Sequence, residues 1–168
     1  PNRADWLDGR WSTLGPSPSE DKDRRGHTGV EIDTLRDLGR RITTVPVDFN
    51  IHKTVQRLLQ RRREMIDSGS GIDWAMAEHL AFATLLAERF RVRLSGQDCE
   101  RGTFSQRHAV LLDQVTERHY TPLKHLAADQ GKFEVINSML SEEAVLGFEY
   151  GYTLAEPQAL VMWEAQFG

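Results

Sequence analysis

The chain has 168 residues, 39% apolar and 27% charged, so it can build one domain with one core and has a globular composition. Its net charge of −4 argues against a general nucleic-acid-binding protein, and no apolar run approaches the roughly 20 residues of a membrane span. The single cysteine excludes an internal disulfide and cysteine-rich zinc sites, and it fits a reducing compartment. The six histidines lack the paired spacing of a helical metal site.

The first 50 residues have few features of an independently folded unit. Trp6 and Trp11 are followed by Gly-Pro-Ser-Pro-Ser (15–19) and a charge run (20–25), which predict an exposed loop. We expect the two tryptophans to dock onto a surface elsewhere in a larger parent protein. The chain starts at Pro1 with neither an initiator methionine nor a signal-peptide pattern, which favours an internal piece of a longer polypeptide.

Three helices are predicted next, over 31–41, 51–66 and 74–86. The second ends at Ser-Gly-Ser-Gly (68–71), and Asp73 can cap the third, which is apolar on nearly all sides and is expected to be buried. The arginine run 61–63 could bind an anion or an acidic partner, although a solvated helix face is the favoured interpretation.

Short apolar runs predict four strands, at 91–95, 108–112, 132–137 and 160–167, with a further helix opening at Ser141 between the last two. This alternation predicts an α/β fold with a parallel or mixed sheet. Because a parallel strand needs cover on both faces and no helix follows the last run, the sheet is expected to be incomplete.

A polar stretch at 94–108 follows the first predicted strand, where α/β sheets commonly bind ligands. A hydrogen-bonded structural loop is the alternative, and composition alone favours it. Cys99 and His108 could form a nucleophile and its base, but the family-specific signatures of such pairs are absent, so this hypothesis is disfavoured.

The stretch 141–152 reads Ser-Glu-Glu-Ala-Val-Leu-Gly-Phe-Glu-Tyr-Gly-Tyr. Ser141 is a good candidate cap, and the helix dipole favours Glu142 and Glu143 in the first turn, so both glutamates could be purely structural. Gly147 and Gly151 lie one turn apart and each costs about 1 kcal/mol relative to alanine. They predict close approach of another backbone, as at a tight helix or subunit contact.

Both stretches, together with Asp-Trp-Leu-Asp-Gly-Arg-Trp (5–11), Gly-Ile-Asp-Trp-Ala (71–75) and Leu-Val-Met-Trp-Glu-Ala-Gln-Phe-Gly (160–168), closely resemble the decarboxylating component of the 2-oxoglutarate dehydrogenase complex. The resemblance is colinear over essentially the whole chain. It implies an extended and helical linker at 1–70, followed at 71–168 by the first half of a thiamine-diphosphate pyrimidine-binding, transketolase-like domain.

The resemblance also implies site residues. The family pattern of an acidic residue followed five positions later by glycine selects Glu142, with Gly147, as the glutamate that hydrogen-bonds the pyrimidine ring. Glu143 points about 100° away on the helix. Phe167 is expected to flank the aminopyrimidine, and Gln97 and Asp98 are expected to face the cofactor. The Gly-Asp-Gly motif that holds the diphosphate and magnesium is absent, so no metal ligand is assigned.

The implied activity is thiamine-diphosphate- and magnesium-dependent decarboxylation of 2-oxoglutarate in the tricarboxylic acid cycle. The succinyl group passes to the lipoyl-bearing succinyltransferase component, and a second copy of the subunit completes a homodimer. The expected location is the bacterial cytoplasm, or the mitochondrial matrix in a eukaryote, with no nucleic-acid or membrane partner. Two alternatives stay open: a sister enzyme acting on 2-oxoadipate, and a segment that acts only as a subunit-interface module. The segment alone is expected to be inactive.

Overall fold

The computed structural model describes residues 9–14 and 28–166, so Trp6, Phe167 and the loop at 15–27 lie outside the described residues. The helices within those ranges are α1 (Ile32–Ile42), α2 (Lys53–Ser68), α3 (Trp74–Ala87) and α4 (Glu142–Ala155). The strands are β1 (Arg91–Gly96), β2 (Leu111–Leu112), β3 (His119–Tyr120), β4 (Phe133–Asn137) and β5 (Ala159–Glu164). The described residues also form 3-10 turns at Gly9–Thr13 and Pro122–Lys124.

Three parallel strands form the main sheet, in the order β4-β1-β5. The central strand is β1, and its Leu94 lies opposite Val135 on one side and Met162 on the other. The predicted α/β fold with a parallel sheet is therefore confirmed. The predicted strand at 160–167 begins one residue earlier and ends at Glu164.

The predicted strand at 108–112 was wrong as a member of this sheet. Only Leu111 and Leu112 are extended, and they pair antiparallel with β3. His108 has a left-handed φ of 47°, and the Asp113 carboxylate accepts hydrogen bonds from the backbone N–H groups of Val115 and Thr116. These two turns bend the chain at both ends of the run, so it cannot extend along the sheet.

The two predicted N-caps behave differently. The Asp73 carboxylate accepts a hydrogen bond from the Met76 N–H at 2.7 Å, whereas Ser141 precedes α4 without a capping hydrogen bond from its side chain. The prediction that Ser141 caps its helix was therefore wrong. Glu142 and Glu143 in the first turn supply negative charge beside the free N–H groups instead.

Asp73→Ala is expected to lower the free energy of unfolding by about 1 kcal/mol, because it leaves an N–H group of α3 without its partner. Ser141→Ala is the matched control and should change stability by only a few tenths of a kcal/mol, since no capping bond is lost. Urea unfolding of both variants followed by circular dichroism measures the difference. Equal losses would contradict the assignment of the caps.

The core lies on one face of the sheet. Val92 and Leu94 of β1 pack there with Phe133 and Val135 of β4, beneath α1 and α3. Leu38 and Ile42 of α1 and Ile66 of α2 belong to the same cluster, so the helices before residue 70 pack directly on the sheet domain. The division of the chain at residue 70 stays a prediction. Arg93 and Ser95 alternate to the opposite face, which α4 covers.

The arginine run on α2 does not form one solvated face. Arg62 is buried and donates to the carbonyl oxygens of Gln106 (2.6 Å) and Arg107 (2.9 Å). Arg63 donates to the Thr43 hydroxyl oxygen at 2.9 Å, and Arg61 alone of the three is exposed. A binding site for an anion on this run is therefore not supported.

Trp11 docks on this chain itself, because its indole N–H donates to the carbonyl oxygen of Leu154 near the end of α4 at 2.6 Å. The docking expected for Trp11 therefore occurs within this chain, at a position 143 residues further along the sequence. The helices of the described residues include none with the length and apolar character of a membrane span.

Candidate functional site at the carboxyl edge of the sheet

The order of the strands defines a switch point at the carboxyl edge of the sheet. The chain leaves β1 for its neighbour β4 and then crosses through α4 to β5 on the other side of β1. At such a point the connections diverge and leave a crevice, where open α/β sheets bind ligands. The carboxyl ends of the three strands are Gly96, Asn137 and Glu164.

Two predicted site residues meet at this edge. Gln97 directly follows β1, and Glu142 is the first residue of α4. The Gln97 side-chain amide donates to the Glu142 carboxylate at 3.4 Å, although 45 residues separate them. Both side chains are half-buried, whereas Glu143 is exposed. The structure therefore gives the two neighbouring glutamates different surroundings, and Glu142 is the one that faces the strand-end loop.

Asp98 lies in the same loop but has a partner of its own. Its backbone φ of 56° is left-handed, and its carboxylate forms an ion pair with Arg101. The fourth predicted residue, Phe167, lies outside the described residues. The cofactor-binding roles of Asp98 and Phe167 therefore stay predictions.

The nearby cysteine is unsuited to nucleophilic chemistry. Cys99 is fully buried, and its Sγ lies 3.1 Å from the carbonyl oxygen of Ile136. Burial raises the pKa of the Cys99 thiol to about 11, despite the opposing contribution of the nearby Arg107 charge. The thiolate that a nucleophile requires is scarcely populated near neutral pH. The structure therefore gives no support to Cys99 and His108 as a nucleophile and its base.

A buried arginine braces both sides of the crevice, and the sequence analysis missed it. The Arg107 guanidinium donates to the Glu78 carboxylate of α3 at 2.8 and 2.9 Å and to the Glu164 carboxylate at 3.0 and 2.5 Å. It also donates to the carbonyl oxygen of Cys99 at 2.8 Å. Burial alone would lower the pKa of Arg107, but the two carboxylates raise it. One side chain thus ties the loop after β1 to the end of β5.

His79 on α3 gives this region a pH dependence. The residue is 4% exposed, and its ring hydrogen-bonds the carbonyl oxygen of Ala75. Burial, reinforced by the nearby Arg62 charge, lowers the pKa of His79 to about 3. The folded state therefore keeps the ring neutral, while the unfolded chain binds a proton below its ordinary pKa of 6.5. Stability from this difference is complete above about pH 6.5 and is lost as the pH falls towards about 3.

We therefore expect the free energy of unfolding to fall below pH 6.5 by up to about 1.4 kcal/mol per pH unit. His79→Leu removes the titrating group, so its stability should depend less steeply on pH between 6.5 and 4.5. Urea unfolding of both proteins across this range measures the two slopes. Identical slopes would show that His79 titrates alike in the folded and unfolded states.

A metal site is not formed by this part of the chain. Across residues 9–14 and 28–166, no group of three or more histidine, cysteine, aspartate or glutamate side chains could hold a metal ion. Gln97 and Glu142 offer an amide and a carboxylate there, which suit hydrogen bonds to a heterocycle.

A parallel sheet with its crevice at the β1–β5 switch point, and with a glutamate at the start of the next helix, defines an α/β domain that binds a ligand at its carboxyl edge. Residues 70–168 match the family described as transketolase, pyrimidine binding domain. The chain belongs to this family, and the transketolase-like domain that the sequence resemblance implied is confirmed.

Relatives agree over the whole chain. It is 57% identical over 168 residues to the 2-oxoglutarate dehydrogenase E1 component of Brucella anthropi. It is 56% identical over the same length to the proteins of that name from Brucella melitensis biotype 2 and Brucella canis. All of this chain is covered in each comparison, but it spans only 17% of the length of each relative.

Proposed function

We propose that this chain is the pyrimidine-side segment of an enzyme that decarboxylates 2-oxoglutarate and passes the succinyl group to a lipoyl carrier. The contact between Gln97 and Glu142 at the switch point supports this proposal, because it orients a carboxylate at the crevice of a chain that matches a pyrimidine-binding family. The printed name of the relatives supports 2-oxoglutarate as the substrate.

Glu142 has the properties that its role requires. Among the described residues, Gln97 is the one hydrogen-bond partner of its side chain, and that bond is long, so acceptor positions remain for a ring nitrogen. When bound, thiamine diphosphate supplies the carbon nucleophile and accepts the electrons released by decarboxylation. We propose that Glu142 holds a proton at the pyrimidine nitrogen, that Gln97 orients Glu142, and that Asp98 and Phe167 line the same site.

Magnesium and the diphosphate group are proposed to bind to other parts of the full-length protein. No metal-ligating cluster occurs within the described ranges, and the sequence lacks a Gly-Asp-Gly motif. The 168-residue chain alone is therefore expected neither to decarboxylate 2-oxoglutarate nor to bind thiamine diphosphate tightly. Titration calorimetry with cofactor and magnesium tests this, and micromolar affinity would contradict it.

The substrate is tested on the full-length protein that contains this chain. Loaded with thiamine diphosphate and magnesium, it is expected to release carbon dioxide from 2-oxoglutarate with a higher kcat/KM than from 2-oxoadipate, and to transfer the succinyl group to a lipoylated succinyltransferase component. A higher kcat/KM for 2-oxoadipate would change the proposed substrate but not the proposed class of reaction. Failure to decarboxylate either acid would contradict the proposed function. The bacterial cytoplasm is the proposed location.

An interface with a second copy of the subunit is also proposed, because α4 presents an uncovered apolar surface. Leu146, Tyr150 and Leu154 follow one another at helical spacing and are all exposed, by 47% to 66%. A Cβ added at Gly147 or Gly151 would meet nothing within 4 Å, so the close backbone approach that these glycines predict does not occur among the described residues. A clean monomer in sedimentation at high concentration would contradict self-association through this surface.

A further inference from the structure

The helix that carries Glu142 buries one side chain against the sheet, and that side chain is charged. The single buried residue of α4 is Glu149, at 4% exposure. A cleft of about 350 Å³ opens between the first half of α4 and the sheet, lined in part by Ile136, Val145 and Phe148. Apolar contacts therefore leave the first turns of α4 loosely fixed.

Glu149 meets a buried arginine of the central strand. The Arg93 guanidinium donates to both oxygens of the Glu149 carboxylate, with Nε–Oε2 at 2.7 Å and Nη2–Oε1 at 2.8 Å. The rings of Phe148 and Tyr152 lie 5.5 and 4.7 Å from the guanidinium carbon. Glu134 of β4 lies 3.8 Å from Arg93 and accepts a hydrogen bond from the Tyr152 hydroxyl. Two fixed donors on two acceptors specify both distance and direction.

The spacing along α4 links this pair to the crevice. Glu142 and Glu149 are seven residues apart, which is about two helical turns and places both on the face of α4 that looks towards β1. The partner of Glu149 is Arg93 within β1, and the partner of Glu142 is Gln97 just after β1. The two contacts therefore define the register of α4 against β1, and sliding α4 by one turn would move Glu142 by about 5.4 Å.

We propose that Arg93 and Glu149 are positioning residues that set the place of Glu142 at the pyrimidine site, an inference that rests on the proposed function of Glu142. A buried ion pair contributes little net stability compared with apolar residues of similar volume. Here its two directional hydrogen bonds hold Glu149 in one place on β1, which apolar side chains would not do. Arg93 touches neither Glu142 nor Gln97 directly and acts through the α4 backbone.

The test replaces the pair by apolar residues in the full-length protein. Arg93→Met/Glu149→Leu keeps the volume and removes both charges together, so the melting temperature should be retained. Exchange of the thiazolium C2 proton of bound thiamine diphosphate is expected to slow about 10- to 100-fold, because a displacement near 1 Å can cost that much. kcat should fall in parallel, while KM for 2-oxoglutarate stays unchanged. Without cofactor, exchange of the hydrogen-bonded amides of residues 145–149 should become faster by about tenfold or more.

Two further variants make the outcome decisive. Glu149→Gln keeps the shape of the side chain and weakens the bidentate pair, so it should slow exchange even if the double variant folds poorly. Arg89→Gln/Asp129→Asn removes an exposed pair remote from α4 and should change none of these measurements.

Glu142→Gln separates the two proposals. If Glu142→Gln leaves the exchange of the thiazolium proton unchanged, the role of Glu142 fails and this inference fails with it. If Glu142→Gln slows exchange but both Glu149 variants exchange at the original rate, the positioning role alone is overturned. The positioning role would also be overturned if the melting temperature of the double variant fell while folded Glu149→Gln exchanged the thiazolium proton at the original rate. The ion pair would then contribute to stability only.

Discussion

Replacing Arg107 by methionine is expected to lower the free energy of unfolding of the 168-residue chain by about 3–5 kcal/mol. The Arg107 side chain is 3% exposed and serves two carboxylates and one backbone carbonyl. Its removal leaves Glu78 and Glu164, which are only 29% and 27% exposed, close together without a cation. The cost is that of partly buried charges left uncompensated, which exceeds the net stabilisation that the intact network provides. Urea unfolding at pH 7 measures the loss.

The matched control is Arg89→Met, which removes an equally close ion pair at the surface. Arg89 lies 2.6 Å from Asp129, but the two side chains are 72% and 70% exposed. Water solvates the remaining carboxylate, so the expected loss is below about 1 kcal/mol. Arg107→Lys keeps the charge but lacks the planar fork that reaches several acceptors, so its loss should lie between the two. Similar losses for Arg107→Met and Arg89→Met would show that burial does not control the cost.

The helices before the sheet could be predicted because their signals are local. The apolar stripes of α1 and α2 follow the helical period, Gly69 ends α2 in the left-handed conformation that glycine favours, and Asp73 caps α3 as its position indicates. The prediction of a strand at 108–112 was wrong because an apolar run indicates burial and not backbone conformation. Ala109 and Leu111 are indeed buried, but in a turning segment that packs beside the sheet.

The site was predictable in part, because its location follows from topology while its contacts are tertiary. The rule that ligands bind at carboxyl ends of parallel strands selected the loop that contains Gln97. Glu142 came from family resemblance, and the position of a cap alone could not distinguish it from Glu143. Arg93 and Arg107 could not be predicted, because no local spacing connects them to their partners. Arg93 lies 56 residues from its partner, and Arg107 lies 57 and 29 residues from its two partners.

Glu142→Gln in the full-length protein is expected to lower kcat on 2-oxoglutarate by about 10²- to 10⁴-fold, the usual contribution of a positioned proton-transfer group. Glutamine keeps the shape of the side chain and its contact with Gln97, but it has no carboxylate to hold a proton at the pyrimidine nitrogen. Steady-state release of carbon dioxide, with cofactor affinity measured in parallel, separates loss of chemistry from loss of binding.

Glu143→Gln is the matched control, because Glu143 has the same charge and lies in the same helical turn as Glu142 but points in another direction. Both glutamates lie in the first turn of α4, so either substitution loses about the same helix-dipole stabilisation, typically 0.3–1 kcal/mol. Glu143 is exposed and points about 100° away from Gln97, so its replacement should leave kcat unchanged. If the two variants lost activity equally, the effect would belong to the charge of the helix start. If only Glu143→Gln lost activity, Glu143 would be the catalytic glutamate, and the contact between Gln97 and Glu142 would be structural.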